Sequence, residues 1–236
     1  MTSIPHDDEF VKELFDRMGP TYATTNVVSS FGFSEFWRVA CVSIANIKPD
    51  TVVCDLMAGS GECWRYIPKD VAEIISIDFS DFMNERQVER SKKVNRSIDI
   101  RCENATATSL PDASVDHVIS AFGLKTLSQS AISDLTRELH RILKPGGTFS
   151  LLEISLPKNP VIRLPYQWYL CSAIPLIGKL MLGDIECYRM LGKYTTEFEN
   201  CTALIPLFEK AGLEVEYGNH FFGCATSLSG HKKGEP

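Results

Sequence analysis

From Thr51 to Ile154 the chain alternates between short runs of apolar, β-branched residues and longer stretches with helical spacing, and this alternation constrains the fold more than any other feature. The strand-like runs are TVVCDL (51–56), IISID (74–78), SIDIRC (97–102), VDHVISAF (115–122) and TFSLLEI (148–154). Between them lie a glycine turn with a short helix, a helix from Ser80 to Lys93, and a helix from Ser128 to Leu143. The last carries Ile132, Leu135, Leu139 and Ile142 on one face and stops at Lys144-Pro145-Gly146-Gly147. Helices between strands act as crossovers, which make neighbouring strands parallel and cover the faces of the sheet. The expected fold class is therefore α/β with a mostly parallel sheet.

Both ends break this rhythm. Val11, Leu14, Phe15 and Met18 recur at helical spacing up to Gly19-Pro20, and Phe36, Trp37, Ala40, Cys41 and Ile44 do so up to Lys48-Pro49, so residues 1–47 read as an N-terminal helical cap. At the other end a helix over ENCTALIPLFEKAG is followed by strands at 213–218 and 221–228 with no helix between them, which forces an antiparallel pair. Residues 155–195 are apolar and aromatic but interrupted by Pro165, Gln167, Pro175 and Lys179. A membrane span needs about 20 uninterrupted apolar residues, so this stretch reads as an inserted lid over a ligand pocket, the alternative being a patch that rests on a membrane. With 236 residues and 44% hydrophobic content, the chain fills one ordinary core, and one domain over 1–236 is expected.

A formal charge of -6 with no basic run excludes a nucleic-acid surface, which needs concentrated positive charge, and leaves a small molecule as the partner. The polar, acidic start MTSIPHDDEFVKEL has neither a signal-peptide nor a transit-peptide pattern. The eight cysteines are scattered with no CxxC pair, the habit of reduced thiols, and the expectation is a cytoplasmic protein with no structural metal.

The turn DLMAGSGECW (55–64) follows the first strand, at the sheet edge where open α/β folds bind ligands. A dinucleotide site would place a third glycine where Trp64 stands, and Asp55 and Glu62 would repel a pyrophosphate. A cationic ligand inverts that argument. S-adenosylmethionine carries an ammonium, a sulfonium and a ribose, and no phosphate. Asp78 ends the next strand and suits the two ribose hydroxyls, while Ser80 and Asp81 are at hand to cap the helix that follows.

Several stretches together resemble the ubiquinone/menaquinone biosynthesis C-methyltransferases, a class I S-adenosylmethionine-dependent family: FDRMGPTYATTNVVSSFGFSEFWR (15–38), DLMAGSGE (55–62), IDFSDFM (77–83), NATATSLPDASVD (104–116), SAFGLKTL (120–127), LHRILKPGG (139–147), LLEISLP (151–157) and DIECYRML (184–191). The resemblance implies a Rossmann-like, seven-stranded sheet with the last strand antiparallel, S-adenosylmethionine as methyl donor with S-adenosylhomocysteine as product, and a homodimer. It implies that Asp55, Met57, Ala58, Gly59 and Gly61 shape the methionine end of the cofactor site, that Asp78 and Phe79 hold the ribose end, that Asn104 and Ala105 lie along the adenine, and that Phe122 opens the loop facing the methyl group. Trp37, Arg38, Tyr166, Tyr169, Asp184, Tyr188 and Arg189 would wall the substrate side.

Two positions depart from the family pattern. Tyr22 is followed by Ala23 instead of aspartate, and Lys125-Thr126 replaces the usual Arg-Asn after FGL. Both fall on the acceptor side, which leaves three readings: a quinol ring carbon as the leading acceptor, a natural-product carbon, oxygen or nitrogen on another scaffold, or a catalytically silent cofactor-binding relative. Methyl transfer from a sulfonium is an in-line displacement that needs alignment and a dry pocket. Lys125 would stabilise an ionised acceptor oxygen, and Tyr22, Glu153, Tyr188 and His220 are the candidate bases, with His220 equally readable as a turn residue and Glu153 as a tie between sheet end and lid.

Overall fold

The computed structural model describes residues 5–94, 96–180 and 185–234, with the side chains of 18–27 and 29 outside the description. Seven strands, β1 (Val52–Leu56), β2 (Glu73–Asp78), β3 (Ile98–Cys102), β4 (Val115–Ala121), β5 (Leu143–Ile154), β6 (Leu213–His220) and β7 (Ala225–Lys232), form one sheet in the order β3-β2-β1-β4-β5-β7-β6. β1 to β5 pair in parallel, and β7 enters antiparallel to both β5 and β6. The helices among the described residues are α1 (Asp8–Ser29), α2 (Phe33–Ile44), α3 (Asp81–Ser91), α4 (Gln129–Ile142), α5 (Pro160–Trp168), α6 (Ile174–Leu180), α7 (Ile185–Phe198) and α8 (Ile205–Lys210).

Alternation along the buried strands sends successive side chains to opposite faces. Cys54, Ile75, Val118 and Leu151 join the cluster with Leu135 and Leu139 of α4 and Phe208 of α8. Their neighbours Val53, Ile74, Ile119 and Leu152 join Trp37 and Cys41 of α2 and Trp64 on the other face. Strand order reverses between β1 and β4, and such a switch point opens a crevice at the carboxyl ends of the two strands.

Four expectations need correction. The first helix does not stop at Gly19-Pro20 but runs to Ser29; a proline removes only one donor from the ladder, and α1 is held by packing on α3, α6 and α7. β5 starts at Leu143, because Lys144-Pro145-Gly146-Gly147 continues the strand through a register shift in which the Lys144 ammonium pairs with Asp116 at 2.7 Å. The last strand starts at Ala225, and Phe221–Gly223 forms a tight turn with Phe221 and Phe222 at positive φ (45° and 58°). His220 accordingly ends β6, paired with Ala225, and is not a turn residue.

Beyond β5 the chain forms α5, one π-helical turn (Tyr169–Ala173), α6 and α7, so the helical insertion extends to Phe198, three residues past the expected limit of 195.

Candidate active site

The crevice at the switch point is floored by the turn after β1. Met57, Gly59 and Gly61 all have positive φ (54°, 58° and 77°), which folds the chain back sharply. A Cβ on Gly61 would stand 2.5–2.8 Å from the indole of Trp64, which is why a tryptophan fills the place of a third glycine: the ring packs on the bare backbone. The Gly59 N–H donates to Asp78 Oδ2 at 2.8 Å, the Ser80 N–H donates to Asp78 Oδ1 at 3.0 Å, and the Gln87 amide donates to the Gly59 carbonyl at 2.7 Å. Ser80 itself caps α3 by accepting from the Met83 N–H, which leaves the Asp78 carboxylate aimed across the turn rather than spent on the helix.

Three carboxylates, Asp55, Glu62 and Asp78, line this one cavity and are all buried. Neither Asp55 oxygen meets a hydrogen-bond donor. Burial, followed by the charges of Glu62 and Asp78, pushes the Asp55 carboxyl well up from its ordinary range. Asp78 is pushed up to about 6 by burial, its two backbone N–H partners pulling the other way. A buried acid without a partner costs several kcal/mol in its charged form, so the cavity favours a ligand that brings positive charge and hydroxyl donors. The only basic side chain lining it, among the described residues, is Arg38, whose guanidinium pairs with Glu35 at 2.8 Å and lies 5.1 Å from the centre of the Phe122 ring.

Phe122, at φ 75°, follows β4 and lines two cavities at once. The second, of about 270 Å³, is walled mostly by aromatic and aliphatic groups of α2, α5, α7 and the π-helical turn. Two polar groups stand out in it. The Trp37 indole nitrogen is buried with no acceptor. The Lys125 ammonium, also buried, donates to the Phe122 carbonyl at 2.9 Å and to Glu153 Oε1 at 2.8 Å. Burial pushes the Tyr166 phenol, whose hydroxyl reaches the Cys224 carbonyl at 3.3 Å, far above its ordinary value, and raises Tyr169 as well.

The structure gathers most of the expected residues. Asp55, Met57, Ala58, Gly59, Asp78, Phe79, Asn104, Ala105 and Phe122 line the first cavity, with Gly61 shaping its turn. Trp37, Tyr166, Tyr169, Tyr188 and Lys125 line the second. Arg38, expected on the substrate side, faces the first cavity instead. Arg189 is half exposed, pairs with Glu186 on its own helix and lines neither cavity. Glu153 lines neither: it is fully buried and saturated by the Lys125 N–H at 3.0 Å, the Lys125 ammonium and the Ile154 N–H at 2.7 Å. His220 also lies outside both; its ring meets the Ser227 hydroxyl at 2.9 Å, and burial lowers its pKa. Asp184 and the side chain of Tyr22 fall outside the described residues.

Sequence reasoning missed the contribution of α1. Asp8, Val11 and Phe15 line the first cavity, and the Asp8 carboxylate accepts from the Asn104 amide at 2.7 Å while the Asn104 oxygen is taken by the Thr106 N–H at 3.0 Å and hydroxyl at 2.9 Å. The helix is further pinned by Lys12 on Asp81 at 2.6 Å. An amphipathic helix reads alike whether its apolar stripe covers a core or a cavity, so only its acids carried a signal.

Comparison with known proteins agrees with this geometry. Among solved structures, a SAM-dependent methyltransferase from Thermotoga maritima superposes with a TM-score of 0.63 at 16% identity, covering 94% of this chain and 99% of its own. One from Aquifex aeolicus has a TM-score of 0.53 at 16% identity, with 78% and 82% covered. In sequence, the chain is 30% identical over 229 residues to a demethylmenaquinone methyltransferase of Lactiplantibacillus plantarum (94% of this chain, 96% of that protein) and 28% identical to a ubiquinone/menaquinone biosynthesis C-methyltransferase UbiE of a Shewanella species (95% and 91%). The model of the ubiE/COQ5 methyltransferase family matches residues 3–232. With a switch-point crevice suited to a cation and a second cavity behind Phe122, this chain belongs to the ubiE/COQ5 methyltransferase family and is an S-adenosylmethionine-dependent methyltransferase of class I fold.

Proposed function

We propose that the enzyme methylates a ring carbon of a small hydroxylated aromatic acceptor, a quinol, with residues 155–195 as the lid and 1–47 as the cap of one catalytic domain. The observation that carries this reading is the second cavity: mostly apolar walls of a size that suits an aromatic ring, lined also by Lys125 and by Trp37, whose indole N–H has no acceptor. Relatives that include a demethylmenaquinone methyltransferase point to the same acceptor class.

S-adenosylmethionine, when bound, supplies a methyl group made electrophilic by the sulfonium. The residues of the first cavity fit it. Asp55, unpartnered and buried, and Glu62 suit the ammonium; Arg38 suits the carboxylate of the same amino-acid end. Asp78 keeps lone pairs for the ribose hydroxyls after accepting two backbone N–H groups. At the far end, Asn104 has spent its oxygen on Thr106, which leaves the carboxylates of Asp8 and Glu103 as acceptors for an adenine amino group.

On the acceptor side Lys125 holds the ionised ring oxygen, which raises electron density at the neighbouring carbon, and Trp37 donates to the same oxygen or its counterpart. Among the described residues no carboxylate or imidazole lines the cavity, and the raised Tyr166 phenol is a poor base at neutral pH. The acceptor hydroxyl proton therefore leaves to solvent before the ring is enclosed, and Lys125 keeps the anion in place; the proton on the ring carbon that takes the methyl group is lost afterwards, as the resulting dienone tautomerises to the methylated phenol. The eight free thiols fit a reducing compartment.

The test is incubation with methyl-labelled S-adenosylmethionine and a reduced, demethylated quinol of short side chain, followed by locating the label. Label on ring carbon is expected. Label on oxygen or nitrogen, or turnover only with other scaffolds, moves the enzyme to natural-product methylation.

A further inference from the structure

Glu35, in the first turn of α2, lines neither cavity, yet both of its oxygens are taken by groups that lead to the first one. Oε1 accepts from the Arg38 guanidinium at 2.8 Å. Oε2 accepts from the Tyr66 hydroxyl at 2.6 Å and pairs with the Arg65 guanidinium, which itself lies 4.9 Å from the centre of the Tyr66 ring. Arg65 and Tyr66 end a short 3-10 helix (Glu62–Tyr66) that starts directly after Gly61 and brings Glu62 and Cys63 to the cavity wall. One half-buried carboxylate therefore joins α2 to the floor of the first cavity and grips Arg38 from behind.

The grip matters because Arg38 stands among acids. Burial and the charges of Glu62 and Asp78 push the Asp55 carboxyl up, and the charge of Arg38 pulls it down, so the guanidinium acts on Asp55 through space. Neither Asp55 oxygen receives a hydrogen bond, however. A guanidinium and a buried, unpaired carboxylate on one cavity wall gain most by meeting as a bidentate pair. Here they stay apart: Glu35 supplies the competing anion on one side of Arg38, and the Phe122 ring, 5.1 Å away, packs against the guanidinium.

That separation has a use. The amino-acid end of S-adenosylmethionine is a zwitterion and needs an anion and a cation that do not cancel each other before it arrives. The bond to Glu35 uses one arm of the guanidinium and leaves the rest of the fork for a carboxylate. A site held in this arrangement beforehand binds without first breaking an internal ion pair.

We propose that Glu35 is a positioning residue for the cofactor: it holds the Arg38 guanidinium off Asp55, so that the cavity keeps its positive and its negative group apart for the two poles of the amino-acid end. The inference rests on the reading of Arg38 as the partner of the cofactor carboxylate.

Calorimetric titration with two ligands tests it. S-adenosylhomocysteine carries both poles, and 5′-methylthioadenosine carries neither. In Glu35→Ala, S-adenosylhomocysteine binding is expected to weaken about tenfold or more, while methylthioadenosine affinity stays within about twofold. Glu35→Gln keeps the shape of the side chain, and with it the packing between α2 and the 3-10 helix; it shows the same contrast at about threefold. Adding Arg38→Met to Glu35→Ala brings no further loss, because both act through one guanidinium.

Equal weakening of the two ligands overturns the proposal, by reducing Glu35 to a tie between α2 and the cavity floor, and so does additive loss in the double variant. Full S-adenosylhomocysteine affinity in both Glu35 variants, with weakened binding in Arg38→Met, overturns it and leaves the role of Arg38 standing. Full affinity in Arg38→Met as well removes the carboxylate reading and the proposal with it.

Discussion

Lys125 and Glu153 form a buried ion pair, 2.8 Å between ammonium and carboxylate, that ties the loop after β4 to the end of β5 directly beside the acceptor cavity. The pair is asymmetric. Without its lysine, Glu153 keeps the N–H groups of residues 125 and 154; without its carboxylate, the ammonium keeps only the Phe122 carbonyl. Glu153→Leu is therefore expected to cost more, about 3–5 kcal/mol as for other broken buried pairs, than Lys125→Met, at roughly half that. Urea unfolding measures both, and the reverse order would show that the lysine is the costly partner. Lys125→Met also lowers turnover while cofactor affinity stays nearly constant; loss of cofactor binding would remove Lys125 from the acceptor side.

The raised carboxyls predict a pH dependence for the ligand-free enzyme. A folded-state pKa above the unfolded one means the folded state holds the extra proton, so stability falls as pH rises from the unfolded value near 4 through about 6 for Asp78, and Asp55 acts in the same direction. His117, His140 and His220, lowered by burial, act the other way, so the carboxyl contribution is read as the difference between the wild type and Asp55→Asn in thermal unfolding across about pH 4–7, and it is expected to decline as pH rises. A difference that grows more favourable with rising pH would contradict the buried, unpaired state of Asp55.

Cofactor affinity follows the opposite trend, strengthening as the same acids ionise. Asp78→Ala is expected to weaken S-adenosylmethionine binding at least about tenfold, from the loss of charge-assisted bonds, and Arg38→Met to weaken it by a similar factor through the amino-acid end. Calorimetric titration tests both. An Arg38→Met enzyme with full cofactor affinity and impaired acceptor use would return that residue to the substrate side.

Two glycines separate strain from function. Gly61 sits at φ 77° with the Trp64 ring in the path of a Cβ, so Gly61→Ala meets both backbone strain and a rigid, packed indole and is expected to cost about 2–4 kcal/mol. At Gly123 a Cβ would strike the Met57 side chain at 2.6 Å, with ordinary φ. The thioether can swing aside, but the Met57 Cβ, 2.8 Å away and set by the backbone, cannot, so Gly123→Ala is expected to cost about 1–3 kcal/mol and to push the Met57 side chain into the first cavity. Melting temperatures rank the two, and equal loss would mean Met57 is as fixed as Trp64.

The sheet and the glycine turn were legible because period-two runs, helical spacing and the glycine pair each report local geometry. Trp37 and Arg38 mark where legibility ends: neighbours on a helix differ by about 100° in direction, so one lines the second cavity and the other the first, and no spacing rule says which. Glu153 announced that a buried acid needs a partner, but the partner comes from a loop 28 positions away, joined only by the β4–β5 pairing. Phe221 and Phe222 read as strand residues by composition; their left-handed backbone is a property of the close return between β6 and β7.

Helix α1 spans 22 residues, roughly 33 Å at the helical rise. Its first turns wall the cofactor cavity through Asp8, Val11 and Phe15, and the residues just past its last turn, Ser30 and Phe31, wall the acceptor cavity. One helix thus borders both cavities, so any change in how it is seated alters the walls of both at once.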